Sequence, residues 1–172
     1  MSNSEQDNEN IISAKPAPVV IHAQYLKDVS FENPNAPETL KQGKGGPDMD
    51  VNINLSAREI EEESMKDLYE VTLMLSATAK REDTTYFLAE IQYAALVALS
   101  GLPEKQHHPM LFIEVPRMMF PFARQILGDL TAQGGYPPLL LNPVDFQAMY
   151  IERFAKELED SKDISKANGK AA

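Results

Sequence analysis

The chain has 172 residues, 43% of them hydrophobic, no cysteine and a formal net charge of −10 at pH 7. That length supports one domain with a real core and is thin for two. The missing thiols exclude disulfides and thiolate metal sites, which fits a reducing compartment. The charge opposes nucleic acid or an anionic membrane as main partner, since both repel the chain at long range, and favours a basic partner or simple solubility.

Residues 1–17, opening MSNSEQDNEN, mix polar, acidic and proline residues without a period and read as a disordered tail. They lack the basic start and apolar stretch of a secretory signal, and no run of about 18 apolar residues occurs, so the cytoplasm is the expected compartment. Period two then marks four strands, each with one buried face. The first sets Ile21, Ala23, Tyr25, Val29 and Phe31 against His22, Gln24, Leu26, Asp28, Ser30 and Glu32, with Lys27 interrupting the apolar side. The second alternates Val51, Ile53 and Leu55 with Asn52, Asn54 and Ser56. The third carries Tyr69, Val71, Leu73, Leu75, Ala77 and Ala79 on one side, and the fourth carries Phe87, Ala89, Ile91, Tyr93, Ala95, Val97 and Leu99. Long alternating strands predict an antiparallel sheet.

Short polar connections, AREIEEESMKD and KREDTT, join the second strand to the third and the third to the fourth as hairpins. Between the first two strands lies ENPNAPETLKQGKGGPD, too long for a hairpin and read as a crossover loop. Its GKGG run lacks the frame of a phosphate loop, which closes on Lys and Ser or Thr at a helix entrance. Beyond Gly101 the period becomes helical. Met110 to Gln133 predicts a kinked or two-piece helix, cut by Pro116 and Pro121 and stopped by Gly134 and Gly135. A second helix is predicted from NPVDF, with Asn142 as cap and Pro143 in the first turn. Its stripe is Phe146, Met149, Tyr150 and Phe154. The expected organisation is a tail over 1–17, one domain over 18–157 and a disordered tail over 158–172. The fold class is α+β, a four-stranded antiparallel sheet with both helices on one face.

Catalytic parts are missing. There is no Gly-x-Ser-x-Gly elbow and no spaced histidine pair, and His107 and His108, adjacent in a predicted loop, do not converge on one metal ion. Asp28, Glu32, Glu70 and Glu90 share the open face, but a catalytic carboxylate pair wants one member in an apolar pocket. That face also carries Leu26, Met74, Tyr86, Leu88 and Leu96, and a mixture of acids with large apolar residues suits protein docking. The alternative is a solubilising surface with scattered leucines. The apolar supply of the helices exceeds what one small sheet covers, which points to burial between subunits or a groove for a partner.

YLKDVSFENPNAP, LYEVTLMLSATA, FLAEIQ, FPFARQIL and PPLLLNPVDFQAMY, in that order over about residues 19–155, resemble the SecB protein-export chaperone family. The resemblance implies a soluble cytosolic chaperone, assembled as a homotetramer in a dimer of dimers. Such a chaperone holds unfolded precursor proteins without nucleotide or other cofactor and passes them to the SecA ATPase. It implies that Asp28, Glu32, Leu88 and Glu90 receive the basic, zinc-bearing tail of SecA, the zinc belonging to that partner. It points to Leu40, Phe122, Phe146, Met149 and Tyr150 as a client groove beside the crossover loop and second helix. The odd face of the fourth strand, Ala89, Ile91 and Tyr93, is expected to support assembly through the helices packed on it. Nucleic acid and membrane insertion have no place in this reading. A related chaperone dedicated to one client, such as an antitoxin, and a small oligomeric ligand-binding protein or enzyme are the alternatives.

Overall fold

A computed structural model describes residues 18–41 and 45–154; the expected tails over 1–17 and 158–172 lie outside the described residues. Strands β1 (Val19–Glu32), β2 (Asp48–Glu59), β3 (Leu68–Arg81) and β4 (Thr84–Leu99) form one antiparallel sheet in the order β1-β4-β3-β2. The first two strands are therefore opposite edges, and the connection between them crosses the full width of the sheet. The odd residues of β3 and β4 make the core, with Val71, Leu73, Leu75, Ile91 and Val97 fully enclosed. Each such side chain contributes roughly 1.5–3 kcal/mol when removed from water.

Covering that face is one helical run in three pieces, α1 (Glu104–Pro109), a π turn (Met110–Glu114) and α2 (Val115–Gln133). The run starts earlier than the sequence spacing suggests, because Pro109 is absorbed. The wider π turn that follows tolerates the missing donors of Pro109 and Pro116. His107 and His108 thus lie in a helix rather than a loop. His107 is buried between the Tyr69 hydroxyl, 3.2 Å from Nδ1, and the Leu102 carbonyl, 3.0 Å from Nε2. At the far end the glycine stop is as expected. Gly135 has φ +90°, and a Cβ on Gly134 would fall 2.3 Å from the Phe31 ring. The last helix, α3, is described over 146–154, three residues later than expected. Its cap is Asp145, whose Oδ1 accepts from Ala148 N at 2.9 Å, so the first turn is closed by the carboxylate and not by Asn142.

β1 departs from simple alternation. Register breaks between Ile21 and Ala23 and between Leu26 and Asp28 insert two bulges, and each bulge turns the following residues over. Tyr25, paired with Ala94, therefore lies on the open face, and Leu26, paired with Tyr93, lies on the helix side, the reverse of the alternating pattern. The second bulge restores the expected facing from Asp28 onward.

Candidate functional site

On the open face, rows across the sheet bring distant residues together. Asp28 stands opposite Gln92, Ser30 opposite Glu90, and Glu32 opposite Leu88. Directly opposed side chains in such pairs have Cβ atoms about 4.5–5.5 Å apart. All four expected docking residues therefore share one patch on two neighbouring strands, and Leu88 remains 36% exposed among the acids. A further acid belongs to it. Asp50 on β2 pairs with Thr78, which pairs with Leu88. The alternation that reveals it begins one residue before Val51, where the sequence pattern starts to read as strand. Beside this patch, Asn52, Asn54, Met74, Ser76 and Glu90 line a hollow of about 230 Å³.

Glu70 does not join these acids. Although on the same face, it is 5% exposed, receiving hydrogen bonds from Arg58, from Tyr25 and from Lys27 at 3.0 Å. The hydrogen bond from Arg58, helped by those from Tyr25 and Lys27, holds its carboxyl down at about 2 against the opposition of burial. The same carboxylate raises the Tyr25 hydroxyl, chiefly through their hydrogen bond. The first bulge makes this possible by turning Tyr25 outward. One acid thus becomes a cross-strand staple between β1, β3 and β2. Tyr86 is likewise withdrawn from the open face: it lies in the break between the Ala79–Phe87 and Lys80–Thr85 pairs and is buried.

The residues expected to line a client groove fall in separate places. Leu40, 40% exposed, rests over Gly135. Phe122, 53% exposed, stacks on Tyr93 with ring centroids 6.4 Å apart. Met149 and Tyr150 belong to α3 and are half-buried, and Met149 lines an open cleft of about 490 Å³ with Ile53, Asn54 and Leu55. Phe146 is enclosed at 1% exposure against Phe120, so it supports α3 from beneath and offers no free surface. Ala89, Ile91 and Tyr93 are buried on the helix-covered side of β4, so these three side chains offer no free surface.

Sequence reasoning missed the anchor of the crossover loop. The Tyr136 hydroxyl lies 2.8 Å from Asn33 Oδ1, 3.0 Å from the Tyr86 carbonyl and 2.8 Å from Thr39 Oγ1. Having one proton, it donates to one of the first two while accepting from Thr39. Asn33 also donates to the Gly134 carbonyl at 3.0 Å. Both ends of this knot contain ordinary loop residues with no periodic signal.

The fold is an α+β sheet with one helix-covered face and one open face that carries acids beside an exposed leucine, a mixture suited to protein docking. The family comparison agrees: a family model described as preprotein translocase subunit SecB matches residues 13–157, and the chain belongs to the SecB family, whose members are chaperones and not enzymes. Protein-export protein SecB of Maricaulis maris is 44% identical over 155 residues, covering 90% of this chain and 86% of that relative. The protein of the same name from Bartonella quintana is 43% identical over 138 residues, 80% and 85% of the two chains. Among solved structures, a SecB-like chaperone of Mycobacterium tuberculosis in complex with a peptide from an antitoxin overlaps 74% of this chain and 91% of its own. The TM-score is 0.60 at 18% identity, a likeness of fold.

Proposed function

We propose that the protein holds unfolded precursor proteins without nucleotide and passes them to the SecA ATPase, docking its basic tail on the open face of the sheet. The observation that carries the docking reading is the placement of Asp28, Glu32 and Glu90 on the same face of two neighbouring strands as the exposed Leu88. Carboxylates on a flat face attract and align a basic segment, while the leucine supplies contact area freed of water. The helix-side exposures support the holding role: Leu40 and the half-buried Met149 and Tyr150 of α3 offer apolar area to a client whose own apolar segments are not yet buried. Relatives named protein-export protein SecB at more than 40% identity support export over service to a single client.

Assembly as a dimer of dimers in the cytoplasm completes the proposal. Its support is an uncovered apolar strip in which Met118 and Phe122 of α2 are 40% and 53% exposed, and Leu26 and Val29 of β1 are 42% and 43% exposed. Phe122 belongs with this strip through its stacking on Tyr93 rather than with Met149. Among the described residues no helix is long and apolar enough to cross a membrane. The deciding experiment is calorimetric titration with a slowly folding unfolded precursor and, separately, with the basic SecA tail, each at low and high salt. Binding of both, with the tail the more salt-sensitive, supports the reading. A client that binds while the tail does not removes the export step, and binding of neither removes the chaperone role.

A further inference from the structure

The open face has no occupant among the described residues, and the described residues end beside it. Arg153, in the last described turn of α3, donates to the Leu55 carbonyl at 2.7 Å and reaches Asn54 Oδ1 at 3.5 Å. Asn54 lines both the cleft under α3 and the hollow on the open face that Glu90 borders. The segment after Phe154 therefore starts at the edge strand of the docking face.

Its composition changes along its length. Residues 155–160 carry Glu157, Glu159 and Asp160 against Lys156, whereas residues 161–172, SKDISKANGKAA, carry Lys162, Lys166 and Lys170 against Asp163. Lysines four apart project to one side of an extended segment. The reach is sufficient. Lys162 is eight positions beyond Phe154, at most about 28 Å of extended chain, and the sheet from β2 to β1 is only about 14 Å wide. The sign also selects this segment over the other one outside the described residues, since residues 1–17 carry Glu5, Asp7 and Glu9 against Lys15.

Polarity of the face says where the lysines go. Asp50, Glu90, Glu32 and Asp28 lie towards one end, with Lys80 paired across from Asp48 at its margin. Towards the other end Lys27 and Arg58 share the single carboxylate of Glu70, so the sheet acid of that end is already neutralised. We propose that residues 161–172 lie on the acidic end of the open face, their lysines over Asp50, Glu90 and the β1 acids, as an internal competitor for the basic tail of the partner. The contact stands on charge, reach and point of exit; its regulatory consequence rests on the docking reading above. Exposed ion pairs are individually weak and salt-sensitive, so the segment is displaced by a partner that adds apolar contact on Leu88. At a local concentration on the order of millimolar for a short linker, such a competitor weakens a basic ligand about two- to fivefold.

The test uses the full chain and the triple variant Lys162→Gln, Lys166→Gln, Lys170→Gln. Zero-length carbodiimide coupling with peptide mapping reads the contact directly. Links from these lysines to Asp50, Glu90, Glu32 or Asp28, lost in about 0.5 M NaCl where screening shortens to a few ångströms, are the expected result. Links only to Glu157, Glu159 and Asp160 overturn the proposal. Calorimetry with the basic SecA tail reads the consequence. The variant is expected to bind about two- to fivefold tighter at low salt, the gap closing at high salt, and equal affinities overturn the competition. If the tail binds neither form, the docking reading falls and the competition with it, while the cross-link map still decides the contact.

Discussion

Replacing Glu70 by Gln tests the cross-strand staple that orders β1. The substitution keeps shape and removes the charge received by Arg58, Lys27 and Tyr25. A carboxyl group moved from 4.5 to about 2 corresponds to an upper bound of about 3 kcal/mol, at roughly 1.4 kcal/mol per pKa unit. The side chains of Arg58 and Lys27 are 65% and 40% exposed, and water screens such partners, so the expected loss at neutral pH is about 1–2 kcal/mol. The sign with pH follows from the lowered value. Glu70 stabilises the fold fully above its unfolded pKa near 4.5, and that contribution fades as pH falls towards about 2. Urea unfolding of wild type and variant at matched chain concentration, at pH 7 and at steps from 5 to 3, should show a gap that narrows on acidification. Equal stability at pH 7, or a gap that persists unchanged in acid, would refute the staple.

Four further outcomes follow from named contacts. Glu90→Lys should leave the circular dichroism unchanged, since the side chain is exposed, and weaken binding of the basic SecA tail about tenfold or more at low salt; titration with that tail decides it. Tyr136→Phe strips the crossover loop of its shared hydroxyl and should cost about 1–3 kcal/mol, seen as lower urea stability and faster amide exchange at Thr39. Gly134→Ala forces a Cβ into the Phe31 ring and should destabilise the chain by about 1–3 kcal/mol, measured by the same unfolding assay. Phe122→Asp, at a position 53% exposed, should fold and show a lower mass by light scattering if α2 carries assembly; an unchanged mass counts against that role.

Period-two alternation by itself determined the sheet, the helix-covered face of β3 and β4, and the open facing of Asp28, Glu32, Leu88 and Glu90, because a strand shows its faces residue by residue. Gly134 and Gly135 likewise announced the end of α2. What local pattern does not carry is which residues meet across the chain. Whether Glu70 is a docking acid or a neutralised staple depends on Arg58, Lys27 and Tyr25, the last 45 positions away, and Tyr25 arrives there only because a bulge turns it over. Phe146 reads as part of an apolar stripe in either state, and only its packing on Phe120 closes it to a client. The crossover loop is held through Tyr136 and Asn33, 103 residues apart. A hydroxyl bonding an amide across that distance leaves no periodic trace in sequence, so tertiary structure alone decides it.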